Sequence, residues 1–214
     1  MKIISFLRLF FIVMIISSCG PAIYKTADFE SKTAKHKIVA ILPAEVTISL
    51  RPIEMKNMSI ESFKEKEAAT GFSIQNNLYS WFLRRSEKFK YTVSFEDISK
   101  TNALLAKAGI EYKDLKYKTK EELATILQVG AVISTRVSMQ KPMSEGAALA
   151  IGVLIGTWGA TNTVQTSINI HEAKKGELIW KYDYKASGSV GNNAENLVNG
   201  LMRNASKKFP YNDK

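Results

Sequence analysis

The chain has 214 residues, 45% of them apolar and 23% charged, and a formal net charge of +10. That length allows one domain with a real core, and no internal repeat or low-complexity tract interrupts it. A single cysteine excludes an internal disulfide and a thiolate metal site, and basic residues interleaved with acids, as in Glu61–Glu67, read as a solvated surface ahead of a patch for anionic lipid headgroups or wall polymers, with no nucleic-acid partner expected.

Residues 1–18 read MKIISFLRLFFIVMIISS, with Lys2 and Arg8 and no acid. The uncharged run from Leu9 to Ile16 is far short of the roughly 20 residues a spanning helix needs and fits the core of a secretory signal. Ile16, Ser17, Ser18 and Cys19 resemble the lipobox of bacterial lipoproteins. The resemblance implies that the Cys19 thiol takes a diacylglycerol, that cleavage falls between Ser18 and Cys19, and that the new amine is acylated. Several acyl chains anchor a protein stably where one holds it only marginally. Gly20, not aspartate, follows the cysteine, which the resemblance links to the outer membrane. The organisation expected is a signal peptide over 1–18, a lipidated polar tether over 19–36, an α/β domain over 37–209 and a tail over 210–214.

In chain order, Ile38 to Leu42 is an apolar run closed by Pro43, the pattern of a buried strand, and Val46, Ile48 and Leu50 alternate as though the strand resumes. Glu61 to Arg85 reads as a long helix with Gly71, Ile74, Leu78, Trp81 and Phe82 on one face. Tyr91 to Phe95 reads as a short strand and Asp97 to Lys107 as a helix stopped by Gly109. Thr119 and Glu122 form a capping box opening a third helix that faces Leu123, Ile126 and Leu127 inward and ends at Gly130. Ala131 to Lys141, Thr161 to His171 and Leu178 to Ala186 alternate strictly, which predicts antiparallel strands with one wet face. Lys174 to Glu177 is the turn between the last two, with Gly176 at positive φ. Asn192 and Glu195 form a second capping box, opening a helix whose stripe is Ala194, Leu197, Val198, Leu201, Met202 and Ala205. The fold class is therefore α/β: a two-layer sandwich with a mixed sheet, antiparallel in its C-terminal strands, and helices on one or both faces.

Three segments in order resemble a superfamily of envelope lipoproteins: Lys37–Pro43 its opening strand, Leu127–Val137 its helix–glycine–strand junction, and Gly176–Trp180 its last hairpin. The superfamily includes the curli-secretion channel subunit, lipoprotein activators of penicillin-binding proteins and the amino-terminal domain of the Tol-system propeller protein. The resemblance implies an anticodon-binding-domain-like fold, no enzymatic role, and members that assemble into rings or dock on other envelope proteins. Val132 stands where relatives often carry an acid.

Gly146–Ala160 lies between two strands and holds no charge. Ala148, Gly152, Gly156 and Ala160 fall every four residues, a ladder that lets helices approach closely. The insert does not alternate as a barrel strand would and is too short for a straight spanning helix. Three readings stand: an element buried on its own domain, a subunit contact, or a membrane-inserting segment.

His36 and His171 have no neighbouring ligand at metal spacing, and no nucleophile elbow or phosphate loop occurs. His171 falls on a polar strand face, where an exposed histidine is expected. Asp183 between Lys181 and Lys185 suggests cross-strand charge pairing. No catalytic set, cofactor or metal is expected. The leading expectation is an outer-membrane lipoprotein, bound to the membrane by its lipid and serving envelope assembly or secretion as a homo-oligomer. The alternative is a periplasmic regulatory module that docks on a cell-wall synthase; a small hydrolase or ligand-binding lipoprotein is the third class.

Overall fold

The computed structural model describes residues 20–49, 59–140, 162–188 and 194–212. The elements run β1 (Ala22–Lys25), α1 (Phe29–Thr33), β2 (Ile38–Ile41), β3 (Glu45–Ser49), α2 (Ile60–Phe89), β4 (Ser94–Phe95), α3 (Ile98–Lys107), a 3₁₀ turn (Tyr112–Tyr117), α4 (Lys120–Leu127), β5 (Ala131–Gln140), β6 (Asn162–Glu172), β7 (Leu178–Gly188) and α5 (Ala194–Ser206). They build one mixed sheet in the order β1-β7-β6-β5-β2-β4, with β3 also pairing β5. The C-terminal strands β5, β6 and β7 are antiparallel, whereas β2, β3 and β4 run parallel to their neighbours. The α/β class with a mixed sheet is what the alternation predicts.

Strands β2 and β3 are one strand broken at Pro43. β2 pairs the start of β5, Ile41 opposite Ile133, and β3 pairs its end, Val46 opposite Val137. Proline has no N–H for a ladder, so the break falls there. Two groups satisfy the outer edge of β3. The Tyr112 hydroxyl donates to the Ala44 carbonyl at 2.7 Å and accepts from the Val46 N–H at 3.1 Å. Glu67 Oε1 accepts from the Ile48 N–H at 2.9 Å. The 3₁₀ turn that carries Tyr112 has no apolar period and was not anticipated.

Helix α2 is longer than the expected 61–85. Ser59 caps it, its hydroxyl accepting from the Ser62 N–H, and Lys90 ends it in the left-handed conformation at φ 46°. Gly71, Ile74, Leu78 and Phe82 are buried as expected, and so is Gln75, whose amide donates to the Ile41 carbonyl at 2.7 Å and to Asn102 at 3.0 Å. Gly71 is a packing requirement. Its carbonyl accepts from the Ala44 N–H at 3.1 Å. An added Cβ would sit inside contact distance of the Ala44 carbonyl oxygen and 2.6 Å from the Tyr112 ring.

Two cores result. On one face α2 and α5 cover Val39, Ile41, Ile133, Ile168, Trp180 and Tyr182, closed at one end by rings including Phe82, Phe95 and Phe209. On the other face α3 and α4 cover Ala40, Leu42 and Val132 with Leu105, Leu123 and Leu127. Val132 is fully buried there, an apolar residue at a position the resemblance leaves to an acid. The Thr119–Glu122 capping box forms as expected, with both bonds present. Gly130 does not end α4, as had been expected; Gln128 does, at φ 57°, and Gly130 leaves room for His36, whose atoms lie 3.1 Å from where its Cβ would be. The last stripe is buried at Val198, Leu201, Met202 and Ala205. Asn192, and with it the Asn192–Glu195 box, and the insert 146–160 lie outside the described residues.

Both ends of the expected domain move outward. Residues 20–36, expected as a tether, contain β1, which pairs antiparallel with β7, and α1, whose Phe29 is buried against Tyr211. Residues 210–214 were expected as a tail, yet Tyr211 is buried, its carbonyl accepts from the Thr92 N–H, and Asn212 bridges to Tyr91. Ile23, Tyr24 and Phe29 supplied too few apolar positions to stand out against the lysines around them.

Gly71→Ala should destabilise the fold by about 2 kcal/mol, since overpacking at Ala44 and Tyr112 outweighs the better helix propensity of alanine. Denaturant unfolding checks this; an unchanged or higher midpoint would show that α2 does not make this close approach.

Candidate functional site: an open polar sheet face

α3 and α4 cover only the β2 side of their face. Beyond them the alternate residues of β5, β6 and β7 meet no helix among the described residues. The register sets these side chains in rows. One row is Glu45, Arg136, Ser167, Asp183 and Ala22; the next is Ser138, Gln165 and Lys185. Neighbours in a row stand about 4.8 Å apart, the spacing of paired strands. All of these but Glu45, together with Gly20, Thr166 and Tyr184, line a shallow concavity of about 410 Å³.

Charges on this face are partly matched. Arg136 pairs with Glu45 across β5 and β3 at 3.3 Å. Asp183 pairs with Lys181 at 2.7 Å along the same strand, so the pairing expected across strands runs along β7 instead. Near α4, burial pushes the Lys120 amine below its usual value. His171 sits on the same face and is half-buried rather than exposed, because Gly176 and α4 pack close to the hairpin. Its Nδ1–H donates to the Gly176 carbonyl at 3.1 Å, which fixes the tautomer. Burial lowers its pKa, and the nearby Lys120 adds to that. The Gly176 turn has φ 63°, as predicted.

His36 lies on the opposite side of the sheet, where its Nδ1 meets the Tyr211 hydroxyl at 2.8 Å. Burial lowers the His36 pKa and raises that of Tyr211, which favours a neutral imidazole beside a phenol that keeps its proton. The two histidines thus sit at the same end of the sheet on different faces, each with its own partner. Cys19, Ser18, Ala148, Gly152, Gly156 and Ala160 lie outside the described residues. The part of the site that escaped sequence reading is Gly20 and Ala22, because β1 was read as tether; the pair Ile23-Tyr24 of β-forming residues is the signal that could have found it.

No family model matches the chain, and no curated protein matches it in sequence. Solved structures do resemble it. A PelC dodecamer from Paraburkholderia phytofirmans is 10% identical over 86% of this chain and 93% of that one, with a TM-score of 0.45. Lipoprotein GNA1162 from Neisseria meningitidis is 13% identical over 80% and 94%, with a TM-score of 0.42. The LpoB C-terminal domain from Salmonella enterica is 10% identical over 72% and 84%, with a TM-score of 0.34. Likeness at this level leaves the functional reading to the chain's own residues.

The two histidines set an acid limit. A base whose folded pKa is depressed binds its proton more readily when unfolded, so its contribution to stability is complete above about 6.5 and declines as pH falls below it. Melting temperature should therefore drop between about pH 7 and pH 5, and replacing His36 and His171 together by Gln should flatten that drop in calorimetry. An equal drop in the double variant would assign it to other groups.

Proposed function

We propose that the protein is a non-catalytic lipoprotein, anchored through Cys19 to the outer membrane with its domain on the periplasmic side, which serves envelope assembly or secretion as a homo-oligomer. The observation that carries the reading is the pairing of β1 with β7. Only Gly20 and Pro21 separate Cys19 from the first strand. Two extended residues span roughly 7 Å. A lipid on Cys19 would therefore hold the folded domain at the bilayer surface.

The same observation weakens the alternative. A module that crosses the periplasm to a cell-wall synthase needs a long reach after its anchor, and the residues that would have supplied it, 20–36, form β1 and α1. An assembly at the membrane surface needs no reach. Among the described residues no helix is long and apolar enough to cross a membrane.

Intact mass of the protein extracted from its native envelope should show an acylated chain beginning at Cys19; an unmodified thiol there overturns the anchor. Light scattering of the detergent-extracted particle should give an oligomer, and a monomer at every concentration would remove the assembly role.

A further inference from the structure

We propose that the concavity on the open sheet face seats the phosphate of a lipid headgroup, in the leaflet that holds the anchor. This rests on the lipid-anchored reading of Cys19. The first argument is placement. Strand β1 runs antiparallel to β7 with Ala22 opposite Asp183, so continuing the register two residues brings Gly20 level with Lys185. The row Ser138, Gln165, Lys185 therefore ends beside the residue that directly follows the anchor, and Gly20 lines the same concavity. Whatever leaflet receives the Cys19 lipid presents its headgroups here, within the reach of one peptide unit.

The second argument is charge. Three charged groups line the concavity, and two of them are occupied: Arg136 by Glu45 and Asp183 by Lys181. Lys185 has no carboxylate partner among the described residues. Its neighbours in the row, Gln165 and Ser138, bring an amide and a hydroxyl that donate to an anionic oxygen. A cation flanked by neutral donors suits a phosphate. The row is also shallow and open, as a site that meets a surface must be.

The full-length lipidated protein tests this in bilayers. Cys19 is the only cysteine, so once it is acylated an introduced cysteine is the sole free thiol. Ser187→Cys places a fluorophore on the open face beside the row, and Lys174→Cys places one in the β6–β7 turn at the other end of the hairpin. In phosphatidylglycerol bilayers carrying a headgroup nitroxide, the ratio of quenching at position 187 to that at 174 should be about fivefold above the ratio set by the anchor alone, the factor equivalent to about 1 kcal/mol for one basic residue at an anionic leaflet. The ratio should fall to the value that the anchor alone sets in a phosphate-free galactolipid bilayer, and with Lys185→Glu in phosphatidylglycerol. Equal quenching at both positions in phosphatidylglycerol overturns the seat. So does a ratio that persists in galactolipid or in Lys185→Glu, because the anchor alone then sets the orientation. A particle that shrinks in light scattering on Lys185→Glu would make a second copy the occupant and overturn it too. Circular dichroism melting of the variant, whose changed residue is exposed, checks that the fold is kept. Intact mass separates the two readings: a bare Cys19 removes the anchor, whereas an acylated Cys19 with unchanged ratios removes only the seat.

Discussion

The close approach of α2 to the break between β2 and β3 is the constraint on which the rest is built. At Pro43 the strand loses its ladder, and Ala44 must find partners elsewhere. It finds them in the Gly71 carbonyl and the Tyr112 hydroxyl. Only glycine at 71 lets the helix backbone come that near. This contact fixes the height of α2 over the sheet, and hence the side chains that Ile74, Leu78 and Phe82 bury. It also lets β3 pair with the far half of β5, so that β5 keeps a partner on both edges along its length. A buried N–H left without an acceptor at this break would cost about as much as a typical cavity mutation removes. The polar residues Gln75, Tyr112 and Glu67 are placed where that cost would fall.

Strand β5 then divides the molecule. Its first residues lie beneath helices on both faces, and Val132 and Ile133 are both fully buried. Its later residues keep a helix on one face only, so Val137 is buried while Arg136 is open to solvent. A sheet buried on both faces reads as a continuous apolar run, and a half-covered sheet reads as alternation. β2 shows the first pattern, β6 and β7 the second, and β5 passes from one to the other within ten residues. Among the described residues, the open polar face therefore follows from α3 and α4 being short: they cover β2, the start of β5 and, through α4, the His171 end of β6.

The elements legible in the sequence are those whose signals are local and strong. Three alternating strands, the Thr119 box, the glycine turn at 176 and the stripe of α5 all depend on neighbours within a few residues. What was not legible depends on distant partners. β1 is four exposed residues, AIYK, and is a strand only because β7 offers it an edge. Tyr211 looks like a tail residue and is buried because His36 and Phe29 meet it from the other end of the chain. His171 reads as exposed from its place in the alternation, and is half-buried because α4 and the hairpin turn close over it. The polar face could be read from the pattern of β5, β6 and β7, but its boundary at Gly20 could not, since that boundary belongs to β1.

The position of β1 gives the fold a direction. Gly20 lies level with the C-terminal part of β7, and at that same end β3 stops at Ser49, β5 at Gln140 and β7 at Gly188, while β6 begins at Asn162. The connections over 50–58, 141–161 and 189–193 therefore all leave the sheet from the end where the chain arrives from Cys19. The opposite end carries the tight turn at Gly176, the Lys32–Glu177 ion pair at 2.7 Å and the His36–Tyr211 contact, all short and closed. An end from which three connections leave and an end closed by turns are not equivalent for binding.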